Sequence, residues 1–201
     1  MGAESAIHAW REAICDPSYV ADGLVALKVD LQNAFNNVDR KAMLSLVHSK
    51  FPELYSFVQF CYSRPSHLFV RGSRDSIASS QGAQQGDPLG PLLACLVFQV
   101  VVERINLVDG VRLNSWYMDD GGIIASPAAI SRVLSVFDEL KSELGMFLNE
   151  SKTELIWLSG VAPLVNPLSS FKFKITPVSE MEMLGAPLAT PSNGWRDWHC
   201  G

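Results

Sequence analysis

The stretch SWYMDDGG, residues 115–122, places two adjacent aspartates, Asp119 and Asp120, between an apolar run and a pair of glycines. The flanking runs GVRLNSWYM and GGIIAS predict the two strands of a β-hairpin with an acidic tip. An Asp-Asp-Gly tip is by itself typical of ordinary turn chemistry. The other interpretation is a cation site, because neighbouring carboxylates repel each other until a positive charge neutralises them.

A third carboxylate bears on that choice. The run GLVALKVDL, residues 23–31, predicts a mostly buried strand in which Lys28 and Asp30 share one face. If this strand neighbours the acidic hairpin, Asp30, Asp119 and Asp120 converge at one end of a sheet. Hard divalent cations bind such oxygen ligands, and two ions about 3.5–4 Å apart can support phosphoryl transfer.

The rest of the chain predicts helices and hairpins in a mixed order. Amphipathic or apolar runs predict helices at residues 5–14, 38–51, 52–63, 91–102 and 127–144. Extended runs predict a hairpin within residues 66–82 and late strands at 153–158 and 171–176. This order indicates an α+β fold, an antiparallel sheet with helices packed on one face, and a single domain over residues 1–201.

Composition limits the class of protein. The chain has 201 residues, of which 48% are hydrophobic, and a formal net charge of -5. This supports a real core and argues against a free-standing nucleic-acid-binding module, which normally has a basic surface. The most apolar segment, residues 91–102, is too short to span a bilayer. Four irregularly spaced cysteines favour reduced thiols, so we expect an intracellular protein, nuclear or cytoplasmic, without a membrane partner.

Five blocks of sequence carry a family resemblance. They are KVDLQNAFNNVDR (28–40), QGAQQGDPLGPLL (81–93), YMDD (117–120), LGMFLNESKTELIWL (144–158) and MLGAPL (183–188). Each pattern alone is weak, but five in order are specific. The chain resembles reverse transcriptases, most closely those of non-LTR retrotransposons. The resemblance implies a polymerase palm that acts as an RNA-directed DNA polymerase and adds dNTPs to a primer 3′-OH.

The resemblance also implies roles for the acidic and basic residues. Asp30 and Asp119 would be the main metal ligands, and Asp120 would support them. The cofactor would be two Mg²⁺ ions, with Mn²⁺ as a possible substitute, and the partners would be an RNA template with a DNA primer. Lys152 would protonate the departing pyrophosphate or balance its charge, whereas without the family it indicates an ordinary solvated surface lysine.

Further roles concern the substrates. Phe35 would lie under the incoming sugar and exclude a 2′-hydroxyl, whereas without the family it indicates an ordinary core phenylalanine. Gln85 and Gly86 would lie beside the nascent base pair, or would simply form a helix-entry loop. Leu184 and Gly185 would form a strand that grips the primer, or only a strand end.

Departures from the family pattern leave alternatives open. Asn36 stands where aspartate is frequent, Gly90 where serine is common, and Gln84 where a basic residue is common. We expect the fingers to be largely absent upstream and the thumb to be absent downstream. One alternative is therefore a truncated, catalytically inert palm derived from a retroelement, at most a binding module. Another is a viral RNA-dependent RNA polymerase, although those enzymes usually carry Gly-Asp-Asp.

Overall fold

A five-stranded sheet lies at the centre of the computed structural model, which describes residues 2–72, 74–84, 86–164 and 166–188. The strands are β1 (Val25–Val29), β2 (Ser66–Phe69), β3 (Ser76–Ser79), β4 (Val111–Tyr117), β5 (Asp120–Ala125), β6 (Glu154–Trp157), β7 (Lys174–Ile175), β8 (Glu182–Met183) and β9 (Ala186–Pro187). The helices are α1 (Ala3–Cys15), α2 (Pro17–Ala21), α3 (Ala34–Asn37), α4 (Arg40–Lys50), α5 (Pro52–Tyr62), α6 (Gly90–Asn106) and α7 (Pro127–Leu144), with a 3₁₀ turn at Val178–Glu180.

The sheet has the strand order β4-β5-β1-β6-β7. Its pairs are antiparallel except β6 with β7, which run parallel. The hairpins β2–β3 and β8–β9 form separate two-stranded sheets. The predicted α+β class with a mainly antiparallel sheet is confirmed.

Alternate residues of β1 serve two different cores. Val25, Leu27 and Val29 belong to the larger core, to which helices α3 to α7 contribute. Ala26 belongs to a second core on the opposite face, where Trp10 of α1 is fully buried. The predicted helical layer therefore covers one face, and α1 together with the C-terminal hairpin closes the other. This second cover protects strand residues that a one-sided sheet would leave in water.

Helix α7 shows how local signals fix an element. The Ser126 hydroxyl accepts a hydrogen bond from the Ala129 amide at 3.2 Å, and Pro127 occupies the first turn. Gly145 ends the helix at φ +73°, a left-handed conformation that glycine adopts without strain. A Cβ at Gly145 would lie 1.8 Å from the carbonyl oxygen of Asn37. The helix end therefore packs directly against α3.

Some elements differ from the predictions. Helix α6 runs beyond the predicted residues 91–102, and β7 is only two residues long. Leu184 and Gly185 do not continue a strand, because they form the turn between β8 and β9 with φ values of +53° and +74°. Two consecutive positive φ values are typical of a tight hairpin turn. In the described part of the chain, no helix is long and apolar enough to cross a membrane.

Candidate active site

The three predicted carboxylates lie at the same end of the sheet. Strands β1 and β5 are antiparallel neighbours, with Val29 paired to Gly121. Continuing this register by one residue sets Asp30 beside Asp120, and Asp119 precedes it in the turn of the β4–β5 hairpin. Asp30 is far from Asp119 and Asp120 in the sequence, and the β1–β5 pairing brings them together.

The electrostatics of Asp120 reflect this crowding. Atoms packed around its carboxylate raise its pKa even though the residue keeps solvent access, and the charge of Asp119 raises it further. Lys28 opposes these effects, and Asp30 adds to them. Burial also raises the pKa of the Cys95 thiol on α6, with a contribution from Asp119. The three carboxylates thus share one local field, which extends to the neighbouring helix.

These residues fit a divalent cation by type and by placement. Within the described residues, His, Cys, Asp and Glu side chains form no ready group of three that could enclose a metal. Mg²⁺ needs no such enclosure, since it usually takes one or two carboxylates together with substrate phosphates and water. A cation would also relieve the repulsion that raises the pKa of Asp120.

A turn that sequence reasoning overlooked holds the backbone of Asp30. The Asn149 amide donates to the Asp30 carbonyl oxygen at 2.9 Å, and the Asp30 amide donates to the Thr153 hydroxyl at 3.3 Å. Thr153 is completely buried. Lys152 lies in the same turn, where its amide donates to the Asn149 carbonyl oxygen, and its side chain is exposed. The signal for Thr153 was its place directly before a buried strand.

An ion pair between β1 and β6 lies beside this turn. Lys28 Nζ lies 3.0 Å from Glu154 Oε1, and the Glu154 side chain is largely buried. Burial raises the pKa of Glu154, but hydrogen bonds from Thr176, Lys28 and Lys174 bring it below its ordinary value. The pair therefore favours ionised Glu154 and keeps the positive charge of Lys28 two residues from Asp30.

Two glycines let aromatic rings pack directly behind the acidic tip. A Cβ at Gly121 would lie 2.5 Å from the Trp116 ring, and one at Gly122 would lie 2.1 Å from the Trp10 ring. Only glycine fits this spacing, which explains the pair of glycines after the aspartates. Met118 takes φ +56° in the turn. The tip is therefore held by packing against the fully buried Trp10 and the partly buried Trp116.

The predicted substrate residues fall in two places. Phe35 is half-buried and packs edge-to-face against Phe98 of α6, with ring centroids 5.8 Å apart. Its carbonyl oxygen accepts from the Ala83 amide at 2.9 Å, which joins the first block to the loop before α6. Gly86, in that loop, is exposed with φ +92° and open space around it. Gln85 lies outside the described residues.

The predicted primer-contacting residues lie in the turn of the separate β8–β9 hairpin. Leu184 packs against the core that contains Trp10, and Gly185 follows it in the same turn. This core covers the sheet face that also carries Ala26. By the alternation of β1, Asp30 is on that face too, so the structure brings the β8–β9 hairpin to the same face as the first carboxylate.

Comparisons with known proteins agree with this architecture. The family described as "Reverse transcriptase (RNA-dependent DNA polymerase)" matches residues 18–188. The Retrotransposable element SLACS 132 kDa protein of Trypanosoma brucei gambiense is 26% identical over 147 residues, which are 71% of this chain and 12% of that protein.

Solved telomerase structures share the fold. A telomerase from Candida tropicalis truncated from its C-terminal domain matches with a TM-score of 0.60 and 18% identity, over 83% of this chain and 36% of that one. Telomerase from Candida albicans, in complex with a fragment of telomeric RNA, matches with a TM-score of 0.57 and 14% identity, over 80% and 30%. The chain thus spans a minor part of each relative's length. With most of its residues matched by the family, the chain belongs to the reverse transcriptases.

Proposed function

We propose that this chain forms the palm of an RNA-directed DNA polymerase and that it adds dNTPs to a primer 3′-OH on an RNA template. The single observation that carries this proposal is the convergence of Asp30 with Asp119 and Asp120 at one end of the sheet. Members of the family generally use divalent metal ions. The relatives' descriptions, a retrotransposable element protein and telomerases, support the same class of reaction.

In this proposal the three carboxylates bind the metal ions, and Lys152 contacts the pyrophosphate. Asp30 and Asp119 hold two Mg²⁺ ions, which Mn²⁺ can replace, and Asp120 supports them. Bound at this position, the ions supply charge neutralisation at the reacting phosphate and activation of the attacking hydroxyl. Lys152 reaches the pyrophosphate from the turn that holds the Asp30 backbone, and it donates a proton or balances charge there.

Phe35 of α3, the loop before α6 and the turn of the β8–β9 hairpin contact the nucleotide and the primer. Phe35 is fixed against Phe98, so its ring has little freedom to yield to a 2′-hydroxyl. Gln85 and Gly86 contact the nascent base pair, and the absent side chain of Gly86 permits close backbone approach. Leu184 and Gly185 contact the primer from the turn of the β8–β9 hairpin.

Primer extension on an RNA template with Mg²⁺ or Mn²⁺ tests the reaction. We expect the chain to extend the primer with dNTPs, and Asp30→Asn and Asp119→Asn to reduce extension by at least about 100-fold, because each removes transition-state charge stabilisation. Asp138→Asn is the control, since Asp138 is an exposed carboxylate of α7 that pairs with Lys141. Equal extension by all four proteins would refute the assignment of the carboxylates.

A second assay addresses the sugar. Phe35→Ala should increase NTP incorporation relative to dNTP incorporation if the ring excludes the 2′-hydroxyl. A wild-type chain that prefers NTPs would instead favour the RNA-dependent RNA polymerase interpretation. If the ratio of NTP to dNTP incorporation is unchanged in the variant, Phe35 is a core side chain and does not select the sugar.

The second candidate function is an inert palm that only binds nucleic acid. The observation that favours it is the set of departures from the family pattern at Asn36, Gln84 and Gly90. Tight binding of primer–template without extension would support this candidate. Extension by a longer chain that includes upstream sequence, but not by residues 1–201, would assign the activity to the longer protein.

A further inference from the structure

The charge of the chain is distributed very unevenly. Residues 40–81 contain six Lys or Arg residues and two Asp or Glu residues, so this segment carries +4. Because the whole chain carries -5, the remaining residues carry -9. The segment comprises α4, α5 and the β2–β3 hairpin, and it is a basic region in an otherwise acidic domain. Local charge of this kind indicates a polyanionic partner more directly than the net charge does.

A cavity of about 660 Å³ opens within this basic region, between α4, α5 and the end of the hairpin where β2 begins and β3 ends. Its lining includes the cations Arg40, Lys41 and Arg64, with hydroxyl groups from Ser63 and Ser80. The lining contains one carboxylate, Asp39, and its Oδ1 already accepts from the Ala42 amide at 2.7 Å as the N-cap of α4. Among the described residues, the wall is thus rich in donors for an anion.

The two outer cations are available for a ligand. Lys41 and Arg64 are exposed, and no carboxylate of the described residues lies within ion-pair distance of either. By contrast, Lys50 on the same helix as Lys41 pairs with Glu103 at 3.6 Å. Arg40 has a different task, because its guanidinium donates to the backbone of residues 79–82 and shapes the wall.

The basic region continues from the cavity along the hairpin. Arg64 lies two residues before β2 at the cavity wall, and Ser80 directly follows β3 there. Two further cations, Arg71 and Arg74, lie exposed in the loop at the other end of the hairpin. The cations therefore extend from a cavity to a loop, which suits a chain of phosphates better than one compact anion.

We propose that this cavity binds the phosphodiester backbone of a nucleic-acid strand, with Lys41 and Arg64 each contacting a phosphate. The inference rests on the proposed function, because a polymerase palm must hold a template. The cavity is also joined to the loop before α6. The Gln84 amide donates to the Tyr62 hydroxyl at 3.1 Å, Tyr62 hydrogen-bonds to Asp87, and Tyr62 also lines the cavity.

The test compares two double variants of equal charge. Lys41→Gln with Arg64→Gln removes the two exposed cavity cations. Arg132→Gln with Lys172→Gln removes two exposed cations outside residues 40–81 and is the control. Binding of a fluorescent single-stranded RNA oligonucleotide is measured by anisotropy between 50 and 200 mM salt. Circular dichroism confirms that each protein is folded.

The salt dependence decides the question. Two lost phosphate contacts should reduce the slope of log affinity against log salt by about 1.4 in the cavity variant, because each contact to a single strand contributes about 0.7. The control should keep the wild-type slope. Equal slopes for the two variants would overturn the proposal. It would also be overturned if inorganic phosphate displaced the labelled RNA as well as unlabelled RNA does, when both competitors are compared at equal total phosphate.

The same experiment separates this proposal from the catalytic one. Asp30→Asn should keep the wild-type salt slope while it loses primer extension. If the wild-type chain does not extend a primer but the cavity variant still loses slope, the binding site stands and the catalytic proposal fails. If extension depends on Asp30 and the cavity variant binds like the control, the cavity proposal fails alone.

Discussion

Arg40 is the buried cation whose removal should damage the fold most clearly. It is 7% exposed, and its guanidinium makes four hydrogen bonds to one loop. Nε donates to the buried carbonyl oxygen of Gly82 at 2.9 Å, and Nη1 donates to that of Ser79 at 2.8 Å. Nη2 donates to the Gln81 carbonyl oxygen at 3.0 Å and to the Ser79 hydroxyl at 3.1 Å. The guanidinium therefore fixes residues 79–82 to the start of α4.

The expected cost of Arg40→Met follows from these contacts. The buried bond from a charged donor contributes about 1.5–3 kcal/mol, and the three partly buried ones contribute about 0.5–1 kcal/mol each. Burial also lowers the pKa of Arg40, because desolvation disfavours the charged guanidinium. Allowing for that cost and for water reaching the freed carbonyls, we expect the free energy of unfolding to fall by about 2–4 kcal/mol.

Urea denaturation followed by circular dichroism measures this loss. With a slope of about 2–3 kcal/mol per molar urea, the midpoint should fall by about 1 M or more. Lys41→Met is the matched control, because Lys41 is the next residue along the chain, its side chain is exposed, and the substitution removes the same charge. Arg40→Lys should not rescue the fold, since an ammonium cannot span the same three carbonyl groups. A midpoint for Arg40→Met equal to that of Lys41→Met would refute the reasoning.

Three further predictions test other parts of the structure. Gly122→Ala forces a Cβ to within 2.1 Å of the Trp10 ring and should cost about 3 kcal/mol in urea unfolding, whereas Gly86→Ala has open space around it and should cost only the strain of its positive φ, about 1–2 kcal/mol; equal costs would contradict the packing argument. Because the folded-state pKa of Glu154 is lowered, its ionised form stabilises the fold above its unfolded pKa of about 4.3, and this contribution disappears as pH falls through the folded pKa. Glu154→Gln should therefore lower Tm at pH 7, with the difference from wild type narrowing towards pH 3, and a pH-independent difference would count against the ion pair. Thr153→Val removes the hydroxyl that contacts the Asp30 backbone and should lower the free energy of unfolding by about 1 kcal/mol. The protein should stay folded, but its rate of primer extension should fall. An unaltered rate of extension would show that this contact does not position the carboxylate.

The sequence predicted elements whose signals are local. Helix α7 has its cap at Ser126, its first-turn proline and its terminal Gly145 within one run, so both ends could be assigned. The β4–β5 hairpin was likewise visible from its alternating runs around Asp119. These predictions succeeded because neighbouring residues determine a cap or a turn.

Contacts between distant segments could not be predicted in the same way. The fit of Trp10 against Gly122 joins α1 to β5, and the turn at Thr153 meets Asp30 across 123 residues. Arg40 carries no sequence signal of burial, since arginine is normally exposed. The family resemblance supplied the grouping of the carboxylates, whereas the physical reason for it, the β1–β5 register, is visible only in the structure.

The carboxylate end of the sheet and the helical core make opposite contributions to the free energy of folding. Burial and mutual repulsion raise the pKa of Asp120, so at neutral pH its ionised form opposes folding. The hairpin nevertheless keeps its place, because fully buried Ile123 and Ile124 anchor β5 from both faces of the sheet. A substitution that neutralises Asp120 should therefore preserve or increase stability while it reduces cation binding. Opposite effects on stability and on cation binding are expected for a cation site that the surrounding core holds in place. An acidic turn that merely ended a hairpin would not be stabilised by a cation.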